Sequence, residues 1–509
     1  MSAAPPPPLG ATTLGSGLVL AAAAGALLLI PLTLLMRRHA RAFPLLAVLA
    51  LPFRLPVSAD GRTVNLLIPL YIVVAAGTLA HLLPRVLNTL TRGRIDHAAR
   101  PAADPRRHQS SPAGGLTSGP PGVPSGLRGW RSDLGPRGWR SGLGGWRSRL
   151  RDLQTPRGLE WVLMVSVALY ALQALYSPDL AKAAENVAFF YVPFTLLFFL
   201  LRDVRWTREL LLACLAVAVL LAVVFAGIGF VEYSRKTLFL NPRIVAANQY
   251  DNYFRVNSLF FDPNVYGRFL AVVMIAVTVI VLWRARRREV LACAAVLAWL
   301  LAGLVTSFSQ SSVVALLLGL AVLAAWRWEL RATLYVAGAL VALAVGIVLA
   351  APSSLHFGLK GSSGSASNAT SGRTKLISGG LELFAERPLQ GHGSGSFVLS
   401  YKAHHLGSGA QNATSASHTI PVTVAAEQGL IGVSVYVALL AAAFAVLFSG
   451  AGRSPPRIAI AACFAALVLH TWTYADFLED PLTWTLLGIG VALARAEGGE
   501  RCVATSSAS

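Results

Sequence analysis

Apolar residues recur along this chain in long blocks separated by short polar connections. The blocks fall at about 14–36, 42–57, 64–84, 159–176, 187–201, 209–231, 264–283, 290–306, 311–326, 332–350, 419–449, 457–474 and 481–495. A helix needs roughly 20 mostly apolar residues to cross about 30 Å of hydrocarbon. The pattern therefore predicts an all-α, polytopic integral membrane protein with about 12–13 transmembrane helices. The blocks at 42–57 and 187–201 are short for a full crossing. Polar stretches divide the chain into N-terminal spans (1–84), a connection at 85–158, a core at 159–350 with an external loop at 232–263, a large loop at 351–418, C-terminal spans at 419–495 and a tail at 496–509.

Composition agrees with this reading. Hydrophobic residues make up 55% of the 509 and charged residues only 13%, about half the charged share of soluble chains. The formal net charge is +20, which in a soluble protein would suggest nucleic acid. Here the arginines sit in short connections, as in Arg202, Arg205 and Arg208, or Arg284 and Arg286 to Arg288, so charge encodes orientation through the positive-inside rule. That rule places 177–186, 232–263, 351–418 and the acidic connection ADFLEDP at 475–481 outside the cytoplasm. The first apolar block lacks a basic flank and a small-residue cleavage site, so it is expected to be retained and not removed as a signal peptide. Four cysteines without C-x-x-C spacing support neither a zinc site nor a disulfide framework. An Ala-, Leu-, Arg- and Gly-rich chain with five lysines suggests a bacterium with a GC-rich genome.

The connection at 85–158 holds fourteen arginines, no lysine and a three-fold GWRS repeat at 129–132, 138–141 and 145–148. Too little apolar surface is available there for independent folding. It reads either as a low-complexity linker or as a segment lying on anionic lipid through Trp130, Trp139 and Trp146. The loop at 232–263 places Arg235, Lys236, Arg243 and Arg255 on the side that normally excludes cations. An anionic ligand such as a diphosphate would explain them, and so would pairing with Glu232, Asp251 and lipid phosphate. The loop ends in FDPNVYG, where Asp262 or Asn264 suits a helix cap. Ser307, Ser309, Ser311 and Ser312 form a cluster suited to close helix packing.

The candidate chemistry gathers at 373–432, with two arginines, two lysines, four histidines and three glutamates between apolar regions. Leu376, Ile377, Leu381, Leu383 and Phe384 give a helical spacing over 373–386. Pro388 should end that helix at Arg387. The run GHGSGS at 391–396 lacks the Gly-Lys-Ser/Thr ending of a phosphate-binding loop and reads as a turn. Ser417 or Thr419 looks like an N-cap and Pro421 suits a first helical turn, which sets His418 at the start of a long span. A helix N-terminus disfavours imidazolium, so His418 is the candidate general base. Glu427, nine residues on, should face away from it on a continuous helix.

With R-V-N-S-L-F-F-D-P-N at 255–264, S-F-S-Q-S at 307–311, S-G-R-T-K at 371–375, R-P-L-Q-G-H-G-S-G-S-F at 387–397, and S-H-T-I-P with E-Q-G-L-I-G at 417–432, the chain resembles the O-antigen ligase and polymerase superfamily. The resemblance covers about 160–495 and leaves the Arg/Gly/Trp-rich insert and the N-terminal spans unmatched. It implies a GT-C-like membrane glycosyltransferase of the bacterial cytoplasmic membrane, with its active site facing outside and no cofactor or metal. The implied donor is a polyprenyl-diphosphate-linked glycan. The implied diphosphate contacts are Arg255 and Arg373, with Arg387 beside the motif, and the implied base is His418. His392, Glu427, Asn264 and Lys375 are secondary candidates.

The composition suggests a host without lipopolysaccharide, so the acceptor is expected to be a cell-wall glycan, a glycolipid or a protein, the last making the enzyme a protein O-oligosaccharyltransferase. Membrane lipids are the other expected partners, and nucleic acid is not. A transporter or flippase for the same lipid-linked precursor is the competing function, since external arginines could bind headgroups without chemistry. Flippases should line the bilayer interior with charge, whereas here ionisable residues collect in the external loops.

Overall fold

The structure is a computed structural model that describes residues 27–59, 62–87, 154–239, 254–283, 286–328, 365–405 and 416–506. Among these residues eight helices are long and apolar enough to cross a membrane. They are α3 (Ile68–Leu87), α5 (Leu180–Arg202), α6 (Arg208–Arg235), α7 (Pro263–Trp283), α8 (Arg287–Thr306), α9 (Gln310–Arg327), α12 (Ile420–Phe448) and α13 (Pro455–Thr473). Helices α1 (27–38), α2 (Ala42–Ala50), α4 (Pro156–Ala174) and α14 (Pro481–Ser506) complete the bundle, and α10 (Ser365–Glu386) and α11 (Phe397–His404) belong to the loop region before α12. The all-α class stands, with one short hairpin, β1 (Leu55–Ala59) and β2 (Arg62–Leu66), set between helices. The expected span at 332–350 and residues 88–153 of the insert expected at 85–158 lie outside the described residues, while its ends continue α3 to Leu87 and start α4 at Pro156.

Two short blocks resolve differently from their apolar pattern. The stretch 42–57 makes only the nine-residue α2 before a turn at Leu51 and Pro52 leads into β1, because proline cannot donate the next helical hydrogen bond. The block at 187–201 is instead the C-terminal part of a 23-residue helix. Its polar first turns, LAKAAEN, are capped by Asp179, which accepts from the Lys182 N–H at 3.1 Å. One turn at Val187–Tyr191 is a π-helix. Thr155, Thr207 and Ser309 cap α4, α6 and α9 through their hydroxyls. Asp262, not Asn264, caps α7, accepting from the Asn264 and Val265 N–H groups.

The helices around the later site run between two distinct ends. Residues Lys182, Tyr474 and Glu479 lie at one end of α5, α13 and α14, while Arg202 and Arg457 lie at the other. The far end is tied by ions: Arg202 pairs with Glu160 at 3.1 Å, Arg495 pairs with the same Glu160, and Arg457 pairs with Glu497 at 2.6 Å. Helix α9 packs on α13, α5 on α14, and α4 and α10 on α12. One large apolar core results, centred on residues such as Phe194, Phe198, Phe225, Phe464 and Trp484.

Candidate functional site

The site is built on a break in α12. Gly429 has φ 65° and ψ −162° inside that helix, a backbone that essentially only glycine adopts. A Cβ there would stand 2.4 Å from the Leu389 carbonyl oxygen. Breaking a membrane helix frees backbone groups that must be satisfied by protein, and the glycine-rich segment 388–395 satisfies them. His392 and Gly393 donate their N–H groups to the carbonyls of Ala426 and Glu427, while Leu430 and Ile431 donate to those of Pro388 and Leu389, at 2.7–3.3 Å. Gly391 at φ 70° fits because a Cβ would meet the Glu427 carbonyl at 2.3 Å. The GHGSGS run is thus a docking turn against the broken helix.

The Glu427 side chain then reaches the next element. Its two oxygens accept the N–H groups of Gly395 and Phe397 at 2.8 and 3.1 Å, at the start of α11, where unpaired donors and the helix dipole favour an anion. Glu427 also lines a cleft of about 830 Å³ between the ends of α4, α5, α12 and the 474–480 connection. His418 lines the same cleft. On a continuous helix these two residues would diverge; here His418 precedes the N-cap Thr419 and sits at φ 56°. Pro421 occupies the first turn as expected. Ser417 donates its hydroxyl to the Thr419 carbonyl at 2.8 Å and so holds the turn that carries the histidine.

The opposite wall is the connection after α13. Buried Arg268 grips it, donating to the carbonyls of Ala475 and Asp476 and pairing with Asp480 at 2.8 Å. Tyr474 stacks obliquely against His418 with ring centroids 5.9 Å apart. Burial first, then Asp262 and Asp476, raise the Tyr474 pKa well above that of a free phenol, so the ring stays neutral. Glu479 accepts from the Asn186 amide at 2.9 Å. Burial, with Asp476 adding to it, pushes the Glu479 carboxyl up to about 7. Asp179, Glu185, Glu427, Asp476 and Glu479 all line the cleft, against the cations Arg54, Lys182 and Lys402. Lys182 is held by Glu185 at 2.7 Å. These carboxylates and histidines form no metal-ligating group among the described residues.

The other candidates fall into separate places. Arg255 donates to the Ser307 carbonyl at 3.2 Å and to Asn264 at 3.3 Å, and neither Arg255 nor Asn264 lines the cleft. His392 is buried and donates Nε2–H to the Leu383 carbonyl at 3.0 Å, with Glu386 at 3.5 Å, so it fastens the end of α10. Burial lowers its pKa. Arg387 and Lys375 are exposed, and Arg373 lies within α10 with its side chain outside the described residues. Helix α10 begins at Ser365, earlier than the apolar spacing suggests, and ends at Glu386 just before Pro388. Glu232 spends its carboxylate on the N–H groups of Phe239, Asn257 and Ser258, and Arg243 lies outside the described residues. Lys236 lies 3.6 Å from the Tyr233 ring centre, a cation–π contact.

The sequence reading missed His470. In α13, its Nε2 meets the hydroxyls of Ser312 and Ser311 at 3.1 and 3.3 Å, and Ser309 joins Ser312 to Asn264. The Tyr474 ring packs 5.8 Å from that of His470 and so separates this polar cluster from His418. A histidine inside an apolar span was the signal, since intramembrane ionisable residues are costly unless used.

A bundle of membrane-length helices, with a charged cleft at the end away from the Arg202, Arg457 and Arg495 ion pairs, defines a polytopic membrane protein with a polar site at one end of the bundle. Residues 295–437 match the family described as O-antigen ligase. This match bears out the resemblance to the O-antigen ligase superfamily, a membrane glycan ligase and polymerase family. It takes in Arg373, Arg387, His392, His418 and Glu427, while Arg255 and Asn264 precede it. No curated protein matches the chain.

Proposed function

We propose that this protein is a membrane glycosyltransferase that transfers or polymerises a glycan from a polyprenyl-diphosphate-linked donor onto an acceptor hydroxyl at the outer face of the bacterial cytoplasmic membrane. The observation that carries the proposal is His418, which lies within the O-antigen ligase match and is held by a shaped turn at the edge of an 830 Å³ cleft. The cleft lies opposite the arginine-bearing helix ends, and the positive-inside rule assigns those ends to the cytoplasm.

In the proposed reaction His418 takes the proton from the acceptor hydroxyl as its oxygen attacks the anomeric carbon. The bond from that carbon to the diphosphate breaks, the polyprenyl diphosphate leaves with the electron pair, and the anomeric configuration inverts. Arg373 and Arg387 are assigned to the diphosphate, which guanidinium groups match bidentately. Arg255 is assigned there with them, and its contacts to Ser307 and Asn264 fix its position beside α7 and α9.

The test is the pool of polyprenyl-diphosphate-linked glycan in cells whose only copy carries His418→Ala, at equal membrane level. The expected outcome is accumulation of the lipid-linked glycan and loss of the mature surface glycan. Unchanged pools would remove His418 and the cleft from the reaction.

A further inference from the structure

The cleft beside His418 has a charge that does not suit a diphosphate. Its carboxylates outnumber its cations, and one of those cations, Lys182, is already committed to Glu185 at 2.7 Å. A lipid diphosphate placed among them would meet like charge on several sides, a cost that grows as water is excluded. Some other part of the reaction must occupy this space.

Three observations identify it. Asn186 is only 2% exposed and lines the cleft. Its Nδ2 donates to Tyr170 and Glu479, while its Oδ1 has no hydrogen-bond partner. A buried amide oxygen left unpaired costs free energy that a ligand donor would recover. Beside it stand the edge-to-face rings of Tyr170 and Tyr191, with centroids 4.4 Å apart. These offer C–H surface and phenolic groups together. Glu479 adds a carboxyl of which one oxygen already accepts from Asn186, and Glu427 adds two oxygens that accept from the Gly395 and Phe397 N–H groups, each oxygen keeping a further lone pair for a hydroxyl donor. An unpaired acceptor, carboxyl groups and aromatic faces around a cavity of this size match the chemistry of a polyhydroxylated ligand.

We propose that the cleft wall formed by Asn186, Glu427, Glu479, Tyr170 and Tyr191 binds the acceptor glycan, and that it selects a neutral or amine-bearing glycan over one carrying acidic groups. The proposal rests on the reading of His418 as the base that activates an acceptor hydroxyl. Donor and acceptor are then sorted by charge: the diphosphate goes to Arg255 and Arg387, neither of which lines the cleft, and the hydroxyl-bearing chain goes to the acidic wall next to the base.

The test is binding of three tetrasaccharides at pH 8, above the raised Glu479 carboxyl, without donor, to the full-length protein in lipid nanodiscs: cellotetraose, the glucosamine tetramer and tetragalacturonate. The expected result is that the first two bind and tetragalacturonate binds at least about tenfold more weakly. Glu479→Gln, which keeps the side chain's shape, should shrink that gap to about threefold or less. Asn186→Leu should weaken the two binding tetramers by about tenfold. The proposal is overturned if tetragalacturonate binds as well as cellotetraose, if none of the three binds, or if both variants keep the wild-type pattern. Because no transfer occurs in this assay, its failure is separable from unchanged glycan pools in His418→Ala cells, which would refute the transfer reading alone.

Discussion

His418 occupies the left-handed backbone region at φ 56°, which costs a residue with a Cβ about 1–2 kcal/mol. That cost is met by the Ser417 turn and by the start of α12, and it re-aims the imidazole into the cleft. Strain of this kind concentrates at functional positions. Glu479, across the cleft, supplies a titration that can be followed independently. Its carboxyl is raised from an ordinary 4.5 to about 7, chiefly by burial. A raised carboxyl favours folding in its protonated form, so its contribution is complete below about pH 4.5 and disappears as pH rises through about 7. Measured from pH 4.5 to 8, the melting midpoint of wild type should fall relative to that of Glu479→Gln, mainly between about pH 5 and 7, and level off above that. Parallel profiles would show that Glu479 is not buried as described.

At the scale of elements, the break in α12 organises the site. The segment EQGLIG reads in sequence as part of an unbroken apolar span, because glycine is common in membrane helices. Its special backbone became visible only with its partner, the 388–395 turn, whose N–H and carbonyl groups replace the missing helical bonds. Gly429→Ala should therefore cost about 2–4 kcal/mol, from strain plus a steric clash with Leu389. A lowered unfolding midpoint in detergent, with loss of transfer, is the expected measurement; an unchanged midpoint would mean that the helix can close the break. The helix ending before Pro388 and the one beginning near His418 were legible from proline and capping signals. The Glu427 link to α11 was not, since it depends on three chain segments meeting. Asn186 and Lys182 were hidden for the same reason: their stretch, LAKAAEN, is polar enough to pass for a loop, and only the Asp179 cap and packing on α4 make it helix.

At the scale of the whole molecule, hydropathy and arginine placement sufficed for the class and for the two unlike ends of the bundle. They did not distribute the charges within the external end. Arginines appear in sequence as the dominant chemistry of that face, yet Arg255 is held among Ser307 and Asn264, and the cleft is walled by carboxylates from α5, α12 and the connection after α13. The cleft that bears His418 is thus richer in carboxylates than in cations, and Arg255 and Arg387 do not line it. In the proposed function this cleft carries out His418-dependent glycan transfer. Its most direct test is transfer of radiolabelled glycan from purified polyprenyl-diphosphate-linked donor to an acceptor glycan by the full-length protein in proteoliposomes. Wild type should produce labelled acceptor, and His418→Ala should slow the reaction by about 10²–10⁴-fold, the range of general-base catalysis. Equal rates for the two proteins, or no labelled acceptor from wild type, would contradict it.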